Sequence, residues 1–243
     1  MPTPVPMELR YEPLERLRVP RPVDRIPFVV AQCRGKSVLD LGAMDETAVD
    51  AKRGRGTWLH ESIAQVATRV IGVDSSLQIP EPGLVTAANA KIVRGDVGNL
   101  DGVLAALDFA PEVVVAGELI EHLPNPLQFL QSVASIERLR GCTLILTTPN
   151  ATAAHNVAVG LASRESTHHD HLCILSFKTL HTLCRRAGLA SWEVIPYRAA
   201  FPEMRARHPG AAGLLVAAGE RAVNGVEWMF PLLSFGYVVR ARI

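Results

Sequence analysis

Five consecutive residues, Glu118-Leu119-Ile120-Glu121-His122, carry two carboxylates and an imidazole at spacings of three and four. On a helical turn, such spacings put Glu118, Glu121 and His122 on one side, where three ligand atoms can converge. Downstream, Thr167-His168-His169-Asp170-His171 supplies further imidazoles. Two carboxylates with two histidines make a mixed oxygen and nitrogen site for a divalent cation, with positions left for water or a substrate oxygen. Without a cation, the same residues would serve as a base and as orienting groups in a pocket. His122 and His169 are the candidate proton acceptors, because an imidazole titrates near neutrality; His169 equally suits an exposed loop. A second set of acids, Asp40, Asp74 and Asp96, shares a context rather than a spacing: each closes a short apolar run. One such Asp is as often a turn or helix cap as a ligand contact, whereas three in series point to a ligand.

Those apolar runs are the strands that must position the acids. Residues 37–41 (SVLDL), 70–74 (VIGVD) and 91–96 (KIVRGD) are separated by intervals that suit helical crossovers, and 113–116 and 143–147 add two more β-branched runs. Residues 124–140 place Leu127, Leu130, Val133, Ala134 and Ile136 at near-helical spacing behind a proline-rich start, which predicts one covering helix. Residues 176–187 predict a helix capped by Ser176 and closed by Gly188, followed by a strand at 192–195 and a last strand at 234–242. The alternation predicts an α/β fold, a doubly wound and mostly parallel seven-stranded sheet. Residues 1–34 read as an N-terminal extension with a first helix and 35–243 as a single domain. Within it, residues 198–231, rich in Ala, Gly and Pro, read as a C-terminal insertion over the ligand side or at a homodimer contact.

Open sheets of this kind bind ligands beyond the carboxyl ends of their strands. At the end of the first, Asp40, Gly42 and Ala43 would let the backbone approach the amino-acid part of a nucleoside cofactor, since a small residue leaves room. Asp74, followed by Ser75, would accept from both ribose hydroxyls, and Asp96 from an adenine amino group while Val97 packs on the ring. A nicotinamide dinucleotide and hydride transfer are disfavoured, because the GxGxxG pyrophosphate cradle is missing.

Composition narrows the field further. The 243 residues suffice for one large domain with a substantial core, and the 48% hydrophobic content is distributed in runs too short or too broken by charge to span a bilayer. The proline-punctuated, charged start MPTPVPMELRYEPLERLRVPRP lacks the apolar centre of a secretory signal, so a cytoplasmic location and reduced thiols at Cys33, Cys142, Cys173 and Cys184 are expected. With 25 Lys and Arg against 24 Asp and Glu, the chain lacks the positive field that supports binding to a long phosphate backbone, which disfavours nucleic acid as partner.

The segments VLDLGA, IGVDSS, VRGDVGNL, VVVAGELIEHLPNP and LILTTPN, taken in order from about residue 37 to 189, resemble the class I S-adenosylmethionine-dependent methyltransferases. The resemblance implies a Rossmann-like methyltransferase domain, with Asp40, Gly42 and Ala43 lining the methionine moiety, Asp74 at the ribose, and Asp96 with Val97 at the adenine. Where that family shows further glycines after the first strand, this chain has Met44 and Glu46 and then AVDAKRGRGTWLH. There Gly54 and Gly56 would restore backbone freedom, and Trp58 and His60 would either touch the cofactor or pack the next helix start. The pairing of ELIEH with HHDH is similar to metal-dependent methyltransferases acting on the 2′-hydroxyl at RNA 3′ ends, and acidic sites of this type also occur in quinone and sugar O-methyltransferases. By that resemblance Glu118, Glu121, His122 and His171 would ligate a divalent metal, Mg2+ by expectation. The aromatic segment that follows the last histidine in the RNA enzymes is LCILSF here.

Methyl transfer is an in-line displacement, so acceptor and donor must be held close while the hydroxyl loses its proton. Vicinal hydroxyls could chelate a bound cation, and the near-zero charge and low aromatic content favour a sugar or oligosaccharide acceptor over an RNA strand. A metal-free small-molecule O- or N-methyltransferase, an RNA 2′-O-methyltransferase and a non-catalytic module remain the alternatives.

Overall fold

The computed structural model describes residues 9–12, 14–44, 57–105, 107–208 and 210–243. Gly54, Gly56 and Glu46 lie outside them. The strands are β1 (Ser37–Leu41), β2 (Arg69–Asp74), β3 (Leu84–Ala87), β4 (Ala90–Arg94), β5 (Val113–Gly117), β6 (Thr143–Pro149), β7 (Ser191–Tyr197) and β8 (Gly236–Arg242). They form one sheet in the order β3-β4-β2-β1-β5-β6-β8-β7, parallel from β4 through β6, with β8 antiparallel to both its neighbours. The fold is thus the expected doubly wound, mostly parallel α/β sheet, with an eighth strand added. That strand, β3, is a short antiparallel edge, partly exposed along its length, so it leaves no continuous apolar run to read. Asn89, in the turn between β3 and β4, donates to the carbonyls of Ala64 and Ala67 and pins the hairpin to the sheet.

Strands covered on both faces need apolar residues at successive positions, which is why 113–116 reads VVVA. One face buries Leu39, Leu41, Val114, Ala116 and Leu144 under Leu130 and Val133 of α4 (Pro126–Ser135) and Phe177 and Leu180 of α6 (Phe177–Ala187). The other buries Val38, Val70, Val115 and Ile145 under Val29 and Cys33 of α1 (Arg25–Cys33) and Ile63 of α2 (Leu59–Ala64). Each Val, Leu, Ile or Phe among them contributes about 1.5–3 kcal/mol when fully buried. The four cysteines are free thiols.

α6 has the caps its sequence announces: Ser176 accepts from the Thr179 amide in a reciprocal capping box, and Gly188 closes the helix at φ 78°. The single helix expected over 124–140 is divided. Asn125 caps α4, which stops at Ser135, and a 3-10 turn follows at Glu137–Leu139. The break lets Leu139 enter the core while the Arg138 guanidinium donates to the carbonyls of Leu104, Leu107 and Phe109. The third strand also ends earlier than expected, at Arg94, so Asp96 stands in the loop beyond it.

Short helices α3 (Asp101–Ala105) and α5 (Ala154–Leu161) follow β4 and β6. Between β7 and β8 the chain forms α7 (Pro202–Arg207) and α8 (Ala211–Met229), held over the sheet end by Glu227, which is buried and accepts from the Ala199 amide at 2.9 Å. Among the described residues no helix is long and apolar enough to cross a membrane.

His181 on α6 is buried and accepts a 3.0 Å hydrogen bond from the Trp192 indole, and burial pushes its imidazole down to about 4. A depressed folded-state value means the neutral ring stabilises the fold fully above the ordinary 6.5, and that contribution is lost as pH falls toward 4. In urea titrations, wild type is expected to lose its stability advantage over His181→Gln as pH falls from 7 to 4.5; a constant gap would refute this assignment.

Candidate active site

Because β4, β2 and β1 are neighbours in the sheet, the acids that follow them line up along its carboxyl edge. Gly42, after β1, has φ 72°, and its amide donates to the Val73 carbonyl at 2.8 Å. A side chain there would be strained and would meet Leu119 Cδ1 at 3.0 Å, so only glycine keeps the edge open. Asp40 is buried and its Oδ2 lies 2.8 Å from His60 Nδ1, with His60 Nε2 2.9 Å from the Thr86 hydroxyl. Trp58 is also buried and donates to the Ala43 carbonyl at 3.0 Å. Trp58 and His60 therefore pack the start of α2, and they shape the cofactor edge through Asp40 and Ala43.

Asp74 is half-buried and accepts from the amides of Met44 at 2.8 Å and Ser76 at 3.0 Å, one on each oxygen. It lines an open groove of about 560 Å3 with Met44, Ser75 and Gln78. Asp96 is exposed and caps its own turn through the Gly98 amide at 2.8 Å, while Val97 is half-buried against the core.

The second set of residues departs from the sequence expectation in one respect. Glu118 follows β5 with φ 52°, held there by hydrogen bonds from its amide to the Thr147 carbonyl and hydroxyl at 3.0 and 3.1 Å. A non-glycine residue in that region costs of order 1–3 kcal/mol. Its carboxylate accepts from the Tyr197 hydroxyl at 3.1 Å and faces Arg25 at 3.7 Å. The helical turn thus begins only after Glu118, as a 3-10 turn at Ile120–His122, and the four-ligand set reduces to three. Ligand atoms of Glu121, His122 and His171 lie within 4.8 Å of one another.

Glu121 is fully buried, with Oε2 accepting from the Thr148 hydroxyl at 3.0 Å and Oε1 without a partner. Burial, reinforced by Glu118, pushes its carboxyl up to about 8. The Leu172 amide donates to the Glu121 carbonyl at 2.8 Å, which brings His171 over His122 with ring centroids 4.6 Å apart. Among the described residues His171 Nδ1 is buried and also lacks a partner, and burial with the nearby His122 and His168 holds the imidazole below its ordinary value. His169 stays outside this group: it is exposed and lies 3.2 Å from Asp170. His168 is the loop imidazole that approaches the group, 5.6 Å from the His171 ring and 6.1 Å from His122.

A family model described as a methyltransferase domain matches residues 14–194. The chain belongs to the class I S-adenosylmethionine-dependent methyltransferases. A Mycolicibacterium smegmatis protein, named as a probable S-adenosylmethionine-dependent methyltransferase, is 28% identical over 213 residues, covering 86% of this chain and 73% of that protein. Two solved structures share the fold. One is a SAM-dependent methyltransferase from Archaeoglobus fulgidus, with TM-score 0.52 and 14% identity over 90% of this chain and 91% of that one. The other is the small RNA methyltransferase HEN1, with TM-score 0.55 and 15% identity over 90% of this chain and 25% of that one.

For a methyltransferase of this class, the open edge at Gly42 and the Asp74 carboxylate beside the groove fit a nucleoside carrying an amino-acid tail. Reading the sequence missed three contributors, Arg25, Thr148 and Tyr197, and named His168 only as one of a run of imidazoles. Thr148 and Tyr197 sit at the carboxyl ends of β6 and β7, the one signal that could have marked them; nothing local singles out Arg25. Gly42→Val is expected to weaken S-adenosylhomocysteine binding by about tenfold or more, a loss of at least ~1.4 kcal/mol, with an unchanged circular dichroism spectrum. Unaltered affinity by calorimetry would remove Gly42 from the cofactor site.

Proposed function

We propose that this methyltransferase acts on a hydroxyl of a sugar or oligosaccharide, with a divalent cation held by Glu121, His122 and His171. The observation that supports this reading is the pair of buried, unpartnered ligand atoms, Glu121 Oε1 and His171 Nδ1, in one cluster. A buried carboxylate and a desolvated neutral imidazole are costly to leave unsatisfied, and both fit a cation. One carboxylate and two imidazoles are a softer donor set than the sequence suggested, so Mn2+ suits it better than Mg2+.

When bound, the cofactor supplies an electrophilic methyl group on sulfur and leaves as the neutral thioether; the cation would lower the pKa of an acceptor hydroxyl. The protein's own work is placement. Gly42 and Asp74 fix the donor, and Glu118, between the ligand cluster and the Tyr197 side, orients the acceptor hydroxyl through its carboxylate. With His122 in the ligand set, His168, exposed like His169 but 5.6 Å from the His171 ring, is the nearest further imidazole to take the released proton. A sugar diol can chelate a cation, and a net charge of +1 with 5% aromatic residues offers little to an RNA backbone.

The Glu121→Gln and His171→Ala variants are each expected to lose about a hundredfold or more in turnover while S-adenosylhomocysteine affinity stays within about threefold. Methyl transfer to a glycan panel should stop in EDTA and return with Mn2+ more fully than with Mg2+. Turnover that survives EDTA would instead give these residues to a metal-free acceptor pocket.

A further inference from the structure

Helix α8 turns its polar side inward. Glu220, Asn224 and Glu227, spaced by four and three, share one face of it. Glu220 accepts from the Phe201 amide at 3.0 Å and Glu227 from the Ala199 amide at 2.9 Å, and the Asn224 side chain adjoins Glu227 and the Ala199 carbonyl. On the opposite face, every exposed position of α8 is apolar or glycine except Arg221. A surface helix ordinarily buries its apolar stripe, so this one presents its stripe to the outside. Leu214, Leu215, Val226, Trp228, Met229 and the following Phe230 are between 41 and 75% exposed. Together they uncover on the order of 700 Å2, above the ~300–600 Å2 of the largest patch on a typical monomer and close to the ~800 Å2 that each partner buries in a standard interface.

We infer that α8 docks on α8 of a second copy of this chain, the two helices antiparallel about a two-fold axis. Ala211, Leu215, Ala218, Ala222, Gly225 and Met229 follow one another at alternating spacings of four and three, the repeat of a seam along which one helix meets another. Ala and Gly in the middle of that seam let two backbones approach closely, because interaxial distance is set by the side chains at the contact. A two-fold axis brings the same seam from both sides, so one surface supplies its own complement. The residue types agree: the exposed face offers Leu, Trp, Met and one Arg and no Lys, Asp or Glu, the bias of protein interfaces. A lipid surface fits less well. A helix lying on a bilayer keeps a strongly charged face in water, whereas the polar face of α8 is taken up by its own protein and Arg221 is its sole outward charge. The same inward carboxylates hold residues 199–201, of which Ala200 and Phe201 line the cavity of about 710 Å3 that Glu118 also lines, so the interface lies on the outer side of that wall.

Light scattering and sedimentation of the full chain at micromolar concentration are expected to give about twice the 26.3 kDa of one chain. Ala218→Glu sets a carboxylate in the seam, where its copy meets it, and should yield monomers with an unchanged circular dichroism spectrum and unchanged affinity for S-adenosylhomocysteine. Leu215→Ala truncates a side chain that is 75% exposed, so the monomer fold does not depend on it; it should raise the dimer dissociation constant about tenfold or more. That variant decides the matter if the glutamate variant does not fold. A monomeric wild type, including one that instead sediments with phosphatidylglycerol vesicles, would overturn the proposal. So would a dimer that persists in folded Ala218→Glu, or a dissociation constant unchanged by Leu215→Ala. The readout is mass alone, so it stands apart from the identity of the methyl acceptor and from the metal.

Discussion

Glu121 has no contact with solvent, yet only one of its two oxygens is hydrogen-bonded. A carboxylate in that position costs several kcal/mol unless it is protonated or meets a cation, and its surroundings answer to that constraint. β6 sends Thr148 to one oxygen, the 3-10 turn after β5 sets His122 beside the other, and the backbone of residues 172 and 173 closes on the Glu121 carbonyl. The last contact is what carries His171 across from another part of the chain. A loop that looked like a run of histidines becomes, through two amide hydrogen bonds, one wall of a ligand cluster.

On the cofactor side carboxylates do a different job. Asp40 is tied to His60 and Asp74 to two backbone amides, so both hold loops in shape before they touch any ligand. Pre-organisation of this kind is what lets a nucleoside bind without ordering the chain at the moment of association. Asp96 shows the limit of the pattern. Its exposed turn position makes its part in binding depend on the ligand reaching it, because no neighbour holds it in place beyond its own Asx turn.

Glu118 joins the two halves. Its carboxylate accepts from Tyr197 and faces Arg25, while it remains close enough to raise the Glu121 carboxyl. Between β7 and β8, the buried Glu227 contact to Ala199 fixes where α7 and α8 sit.

The sequence by itself determined the sheet, because strands buried on both faces must be continuously apolar and this leaves runs that can be read directly. It also determined α6, whose caps are local chemistry, and the order of the three strand-end acids. The tertiary structure decided what periodicity cannot encode. The edge strand β3 is half exposed and has no apolar signature, and α4 breaks because Leu139 gains burial and Arg138 gains three carbonyls far along the chain. Helical spacing placed Glu118 with Glu121 and His122, but a single positive φ, favoured only once Thr147 accepts its amide, turned it aside. The histidine loop meets Glu121 for a like reason: the amides of residues 172 and 173 bond the distant Glu121 carbonyl, and those bonds exist only in the folded chain.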